Sequence, residues 1–545
     1  MAANEGHGPN LSKLRPVATF GRRSATWALL AGLVLGGCGT VPTRAVAVPA
    51  LAAPATPAAQ PPTLTVALAS EPVDLQPDAR INDPGYAIEQ NIYNKLVTLD
   101  YGYDVIPDLA SSWDVSPDGR QYTFHLAAGV TWSDGQPFTS ADVVWTMDHI
   151  LADHGVAASS LSAIDQVAAP DAGTVVMTLK HPDAAFLGFL AWYGTFILPQ
   201  HVYQGTDWLT NPANTHPVGT GPFIFSDWQR GSRLTLVANP RYWKGAPAVS
   251  RVVFRFLADS AAAVQAVASG QADVDADTVP AAALGQLAKN PQVQVTRFLA
   301  PSRYYLAFNF RRRPGSLLAF RQAVAAAVDR QQVLTQALGG VGRVAQGMYT
   351  PVFAWAYDAE AQLPSYDPAA ASRLLAGAGV AAGTPVDLLY FTGSPYGQIA
   401  ANVRDQLDRV GLSVRLDQVD GPTYKARLAG SNPGFDLTLL DGFQGPDPAQ
   451  LADRIGKGGA ENMMGYDNPS IDALLAQASQ LTGVAARGPL YQEVQALALP
   501  DLPILPLVEV ETDLASATYV HGLPWTEAMG QVTFNDYSRV TVDPH

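Results

Sequence analysis

Apolar and polar residues alternate with a period of two in several short stretches of this chain, and with a helical period in others. Leu64, Val66 and Leu68 alternate with Thr65 and Ala67, which predicts a strand. Trp113 and Val115 lead into Ser116-Pro117-Asp118-Gly119, a turn in which Pro fixes φ and Gly closes the bend. Tyr122, Phe124 and Leu126 then alternate on the outgoing strand. Thr139 to Asp142 reads as a capping box opening a helix that runs through Ile150. Val252, Phe254 and Phe256 mark another strand, followed by a helix of small residues from Ser260 to Ser269.

Helical spacing dominates the second half. Phe320 to Leu334 predicts one helix, with Val324, Val328 and Leu334 on or near one face. Asp367-Pro368 places a cap before a first-turn proline, and Gly377 and Gly379 end that helix. A strand over 386–391, a helix over 398–410 ended by Gly411, and a strand over 412–419 follow in order. Strand, helix, strand implies a parallel pair joined by a right-handed crossover.

The beginning of the chain has a different pattern. Ala25 to Leu35 is apolar, preceded by Lys13, Arg15, Arg22 and Arg23, and closed by Leu35-Gly36-Gly37-Cys38. A basic flank, a short apolar core and small residues before a cleavage point make a secretory leader over residues 1–37. The stretch is too short to span a bilayer, which takes roughly 20 residues. Cys38, the sole cysteine, directly follows the small residues and resembles the lipid-bearing cysteine of a bacterial lipobox. Residues 38–62 are a Pro/Ala-rich tract with too little apolar area to offset its ordering entropy, so an extended spacer is expected. The protein is therefore expected to be extracytoplasmic, held to the cell membrane by a lipid on Cys38.

Composition narrows the choices. With 545 residues, two or three lobes are expected, and 48% hydrophobic residues suffice for sizeable cores. Losing the four basic groups and one acidic group of the leader takes the formal charge from -14 to -17. Such an acidic surface excludes nucleic acid as a partner, since phosphates repel it. One cysteine allows no internal disulfide.

Chemistry of bond-making is not written into the chain. A Gly-x-Ser-x-Gly elbow and a His-Glu-x-x-His pair are both missing, so a secreted hydrolase, and with it any catalytic residue, is not expected. Asp273, Asp275 and Asp277 alternate, but without the glycine and distal glutamate of a calcium loop. No metal ligands and no cofactor are assigned.

Four segments together carry a resemblance. The first is 91–148, with PDLASSW, SPDG, YTFHL and GVTWSDGQPFTSADV. The second is 217–276, with VGTGPF, ANPRYW and the Gly-Gln-Ala-Asp turn at 270–273. The third, 305–334, has LAFNF and FRQAVAAAVDR, and the fourth, 461–473, has MMGYDNPSIDAL. In this order they resemble the family 5 extracellular solute-binding proteins of ABC importers, which include oligopeptide- and dipeptide-binding proteins. The resemblance implies an α/β, two-lobed periplasmic-binding-protein-like fold of type II with an extra inserted subdomain. It implies lobe I over 63–92, 197–297 and 511–545, an inserted subdomain over 93–196, and lobe II over 298–510. The hinge falls near 297 and 510. The implied partners are a peptide or other small polar solute and the ABC permease subunits in the membrane, with the receptor a monomer. Sugars and metal chelates or haem are alternative solutes.

Within the motifs, Gly119, Gly135, Gly219 and Gly221 are expected where a side chain would clash, and Asp118, Asp134 and Asp142 as turn and cap groups. Peptide binders of the family hold the ligand's ammonium with an aspartate in a segment resembling Gly-Trp-x-x-Asp-x-x-Asp-Pro. The corresponding stretch is 440–448, LDGFQGPDP. Gly442 and Phe443 match the Gly-Trp pair and Asp447-Pro448 the final pair. The aspartate's position is deleted or filled by Gln444, with Asp441 as the substitute after a local shift. Tyr424 matches an aromatic that lines side-chain pockets, or is a core tyrosine. Asn82 and Asp83 match a cleft loop, or form a plain Asn-Asp-Pro turn. The candidate ligand-binding residues are thus Asn82, Asp83, Tyr424, Asp441, Phe443 and Gln444.

Overall fold

Two long strands, Val293–Phe308 and Ile504–Ala517, run antiparallel and organise everything else. The computed structural model describes residues 62–80, 82–100, 103–393, 395–429, 434–459, 461–526 and 536–544. The expected leader, Cys38 and the spacer up to residue 61 lie outside the described residues. Pro62, assigned to the spacer, already belongs to the fold, since its carbonyl accepts from the Ser250 backbone N–H at 2.9 Å.

Among the described residues the main sheet has eleven strands, one of which, Arg343–Val344, pairs with Ile504–Ala517 off the main path. Towards one end of the long pair, Val293–Leu299 faces Glu511–Ala517, and the sheet continues through Val274–Asp275, Thr63–Leu68, Arg251–Phe256, Arg233–Ala238 and Phe223–Gln229. Towards the other end, Arg303 pairs with Glu509 and Ala307 with Ile504. There the sheet continues through Leu437–Phe443, Thr384–Phe391 and Leu412–Val419. Between Leu299 and Arg303 the register shifts, so the ladder is interrupted where the two halves of the sheet meet.

Each half has the pattern its burial requires. Thr384–Phe391 pairs in parallel with Leu412–Val419, from Thr384 opposite Leu412 to Phe391 opposite Val419, as the strand–helix–strand order predicts. The helix Tyr396–Arg409 connects them, and Gly411 takes φ +98 just beyond it. Val386, Leu388 and Leu389 are fully buried, because an inner parallel strand is covered on both faces. In the other half, the helix Ser260–Ala268 packs Ala263, Val264 and Val267 against Ala67 and Ala515 of the sheet. Asp259 caps it by accepting from the Ala262 N–H at 2.8 Å.

A separate four-stranded antiparallel sheet is formed by Ala110–Val115, Gln121–Leu126, Thr174–Leu179 and Ile164–Asp171 in that spatial order. The helix Ser140–Ala152 lies against it, and the Asp142 carboxylate accepts from the Thr139 N–H at 2.9 Å, as the capping box predicts. Trp132 is buried in the core beside Phe138.

One predicted element is divided. The expected helix Phe320 to Leu334 is two helices, Leu318–Ala327 and Arg330–Ala337. Val328 leaves the helical region at φ -91, ψ 107, and Asp329 starts the second helix by accepting from the Gln332 N–H at 3.1 Å. The apolar spacing continues across the break, so only the capping carboxylate marks it.

Gly219 shows why VGTGPF carries its glycines. A Cβ there would lie 1.8 Å from the Ile92 carbonyl oxygen, and one on Gly221 would lie 2.6 Å from it. The obstacle is backbone, held by the Gly221 N–H donating to Ile92 O at 2.8 Å and the Phe223 N–H to Asn91 O at 2.9 Å. We expect Gly219→Ala to destabilise the protein by about 1–3 kcal/mol or more through overpacking. The measurement is the urea midpoint at an unchanged slope; an Ala variant as stable as the parent would contradict it.

Candidate functional site

A cavity of about 730 Å³ opens between the two halves of the molecule. One wall comes from the helix Asp83–Glu89 and from residues between 156 and 193, the other from the Leu437–Phe443 half of the sheet. The first wall is aromatic. Tyr86 and Tyr193 stack at 4.1 Å between ring centroids, with Phe189 and Trp192 beside them in the wall. Lys95 anchors this stack from beneath, its Nζ donating to Tyr86 Oη at 2.6 Å and to Ala191 O at 3.1 Å. Burial pulls the Lys95 ammonium down to about 7, against the pull of Asp108 and Asp78.

The second wall mixes aromatic and charged groups. Tyr305, Phe391 and Tyr424 line it together with Asp441, Arg454 and Glu461. Tyr424 is 5% exposed. Its hydroxyl meets Thr438 Oγ1 at 2.7 Å and donates to Leu439 O at 3.1 Å. Its ring lies 5.4 Å from that of Phe391. Tyr424 is thus held in the core by its hydroxyl and also lines the cavity.

Asp441 lies opposite Tyr304 on the adjacent strand and hydrogen-bonds the Tyr396 hydroxyl. Burial, and next the Asp441 carboxylate, push the Tyr304 phenol up to about 12. Asp83 faces the cavity from the other wall, and burial raises its pKa above the usual carboxylate range.

The strand Leu437–Phe443 has an open edge. One side pairs with the long strand along its whole length, from Leu437 opposite Phe308 to Phe443 opposite Ser302. On the other side, among the described residues, pairing with Thr384–Phe391 involves only Leu437 and Thr438. Leu440, Asp441 and Gly442 lie beyond that pairing and line the cavity.

Two candidates take structural positions instead. Asn82 is buried, its backbone N–H donating to the Tyr193 hydroxyl at 2.8 Å and its side-chain amide to Asp74 O at 3.0 Å. It sets the position of Tyr193 and precedes the helix that carries Tyr86, but it is not in the cavity wall. Gln444 is 3% exposed, its side-chain oxygen accepting from the Thr350 N–H at 3.1 Å and its backbone N–H donating to Pro301 O at 2.6 Å. Gln444 is not among the residues that line the cavity. The side chain of Phe443 is outside the described residues.

Sequence reasoning missed the charged pair Arg454 and Glu461 and the aromatic stack. Arg454 lies in the short helix Leu451–Ile455, and its Nε is 2.8 Å from Glu461 Oε2. The surrounding sequence, Leu-Ala-Asp-Arg-Ile-Gly-Lys, carries no motif that marks it. Gly442 shows its structural meaning, because a Cβ there would lie 2.7 Å from Arg454 Nη2. Among the described residues, no group of three or more His, Cys, Asp or Glu side chains is placed to hold a metal ion, and no helix is long and apolar enough to cross a membrane.

Known proteins resemble this chain in sequence and fold. Residues 104–462 match the family described as bacterial extracellular solute-binding proteins, family 5 middle. The chain is 30% identical over 533 residues to a di/tripeptide-binding protein 2 from Pseudomonas aeruginosa, covering 91% of this chain and 97% of the relative. It is 27% identical to a heme-binding protein A from Haemophilus influenzae, covering 82% and 86%. The structure of the binding protein AgaA in complex with agropinic acid, from Agrobacterium ("A.tumefacien R10"), superposes with a TM-score of 0.71 at 29% identity, over 89% of this chain and 99% of that one.

Proposed function

We propose, from the premise that this chain belongs to the family 5 bacterial extracellular solute-binding proteins, that it captures short peptides in the cavity between its two halves and delivers them to an ABC permease. Members of this family are binding proteins of transporters, working outside the cytoplasm. In the proposed cycle the two halves rotate about the long strand pair and enclose the ligand, and the permease reads the closed shape. The lipid on Cys38 holds the receptor at the membrane surface.

The open edge at Leu440–Gly442 carries the peptide reading. An extended peptide needs a strand with free backbone groups and flanking pockets for alternate side chains. The aromatic walls offer large contact area that tolerates many side chains. Asp441 and Asp83 supply negative charge for a ligand ammonium from either wall. The di/tripeptide-binding relative supports the same ligand class.

Calorimetric titration of the leaderless protein with di- and tripeptide pools tests this. A peptide present at about 100 times its Kd stabilises the folded state by about 2.7 kcal/mol, which appears as a rise in melting temperature. Quenching or enhancement of tryptophan emission is expected alongside, because Trp192 lines the cavity. A protein that gives neither heat nor thermal shift with any peptide pool is not a peptide receptor.

A further inference from the structure

We infer that Lys95 is a positioning residue for the aromatic wall, and that the charge on its ammonium regulates how tightly the cavity holds a ligand. The inference rests on the peptide reading above and names the regulation of that site. Lys95 is 3% exposed and is not part of the cavity wall, so it acts through Tyr86 and Tyr193 and not on the ligand itself.

The stacked tyrosines come from two distant segments. Tyr86 belongs to the helix Asp83–Glu89, and Tyr193 lies just beyond the helix Phe186–Leu190. Lys95 bonds to both segments, giving one proton to Tyr86 Oη and another to the Ala191 carbonyl. Its Nζ also lies 4.8 Å from the centroid of the Phe196 ring, which packs on Tyr86 at 5.4 Å. One ammonium therefore ties together the two backbones that present the stack. An ammonium can only donate, and a hydrogen bond from an ionised donor is roughly twice as strong as a neutral one. Losing the charge weakens both ties at once and lets the Tyr86 hydroxyl turn its own proton onto the amine.

The surroundings leave that charge free to change. Burial brings the ammonium down to about 7, opposed by Asp108 and then Asp78. Asp108 accepts from the Lys95 backbone N–H at 2.8 Å, and its other oxygen takes Lys244 Nζ at 2.6 Å, so two cations share it. Asp78 accepts from the Phe196 N–H at 3.0 Å, and burial holds it well above the usual carboxylate range. Glu89 is raised likewise, by burial first and then by Asp78. Lys95 also lines a second cavity of about 660 Å³ that does not include Tyr86, and the other charged groups there are Asp100, Asp108, Lys244, Asp536 and Arg539. A ligand seated against Tyr86 leaves this second route to Lys95 uncovered. Below about pH 7 the amine is charged and the wall is held; above it the amine is neutral and the wall loosens. Affinity is thus expected to fall as pH rises through that value.

The experiment is calorimetric titration of the leaderless protein with trialanine at half-unit steps from pH 6 to pH 8.5. The wild type is expected to bind roughly threefold to tenfold more tightly at the acid end, with a midpoint near 7. Lys95→Met is expected to bind more weakly than the wild type at pH 6 and to lose that step. It keeps only the change due to the peptide's own ammonium, which titrates at about 7.7–8.0. Tyr86→Phe, which removes the acceptor and keeps the ring, is expected to shrink the step. A wild type that binds trialanine equally at all these pH values leaves the peptide reading intact and overturns the role of Lys95. So does a Lys95→Met variant with the wild-type profile, which would move the effect to Asp78, Glu89 or Asp83. Should Lys95→Met fail to fold, the wild-type profile alone decides, since a midpoint near 8 would assign the step to the ligand. A wild type that binds neither trialanine nor any peptide pool at any of these pH values overturns both readings.

Discussion

Replacing Arg303 with methionine is expected to lower the unfolding free energy by about 3–5 kcal/mol, the usual cost of leaving one partner of a buried ion pair behind. Arg303 and Glu509 face each other across the two long strands, 0% and 2% exposed, with Nη2 and Oε1 2.7 Å apart. The same guanidinium donates to the Gly347 and Met348 carbonyls at 2.9 and 2.7 Å. Burial raises the Glu509 pKa, and Arg303 draws it back down. Without Arg303 the carboxyl must take up a proton or remain charged in the interior, and two carbonyls lose a donor. Urea titration reads the loss as a lower midpoint. The double variant Arg303→Met, Glu509→Leu is expected to recover a part, since it removes the stranded acid but not the orphaned carbonyls. A single variant with the parental midpoint would refute this account.

A loss of similar size, about 3–5 kcal/mol, is expected for Arg487→Met. Arg487 is 2% exposed, and its two Nη atoms bond both oxygens of Asp447. Nη2 also donates to Tyr491 Oη at 2.7 Å, and the guanidinium lies 5.2 Å from the rings of Trp355 and Tyr491. Asp447 in turn accepts from the Ala449 N–H at 2.8 Å, which shapes the corner after the strand Leu437–Phe443. The variant leaves Asp447 near Asp183, a carboxyl already raised by burial. Arg487→Lys keeps the charge but not the fork, so it is expected to regain only part of the stability. Thermal melts of the two variants, compared with the parent, decide the matter; equal losses for Lys and Met would assign the effect to packing on Trp355 instead.

Much of the fold was legible because alternation and caps are local. Thr139 and Asp367 each sit at a helix start and accept a hydrogen bond from, or exchange one with, its first turn. The parallel pair at 384–391 and 412–419 follows from period and order alone. The division at Val328–Asp329 escaped notice because the apolar spacing does not change across it. The candidate site was legible only where a motif marked it. Asp83, Tyr424 and Asp441 do line the cavity. Asn82 and Gln444, chosen by position in similar motifs, are committed to neighbouring backbone. Arg454, Glu461 and the Tyr86–Tyr193 stack come together only through packing between distant segments, which no single stretch of sequence displays.

The Gln444 N–H on the Pro301 carbonyl ties the end of the strand Leu437–Phe443 to the interval between Leu299 and Arg303 where the ladder shifts. Proline has no N–H to give a neighbouring strand, so little cross-strand bonding resists rotation at that point. In the proposed closure, a load applied at Asp441 therefore acts a few residues from the fulcrum. Such a short lever arm turns a small adjustment at the bound solute into a wide swing at the distant rim, where a docking permease would feel it.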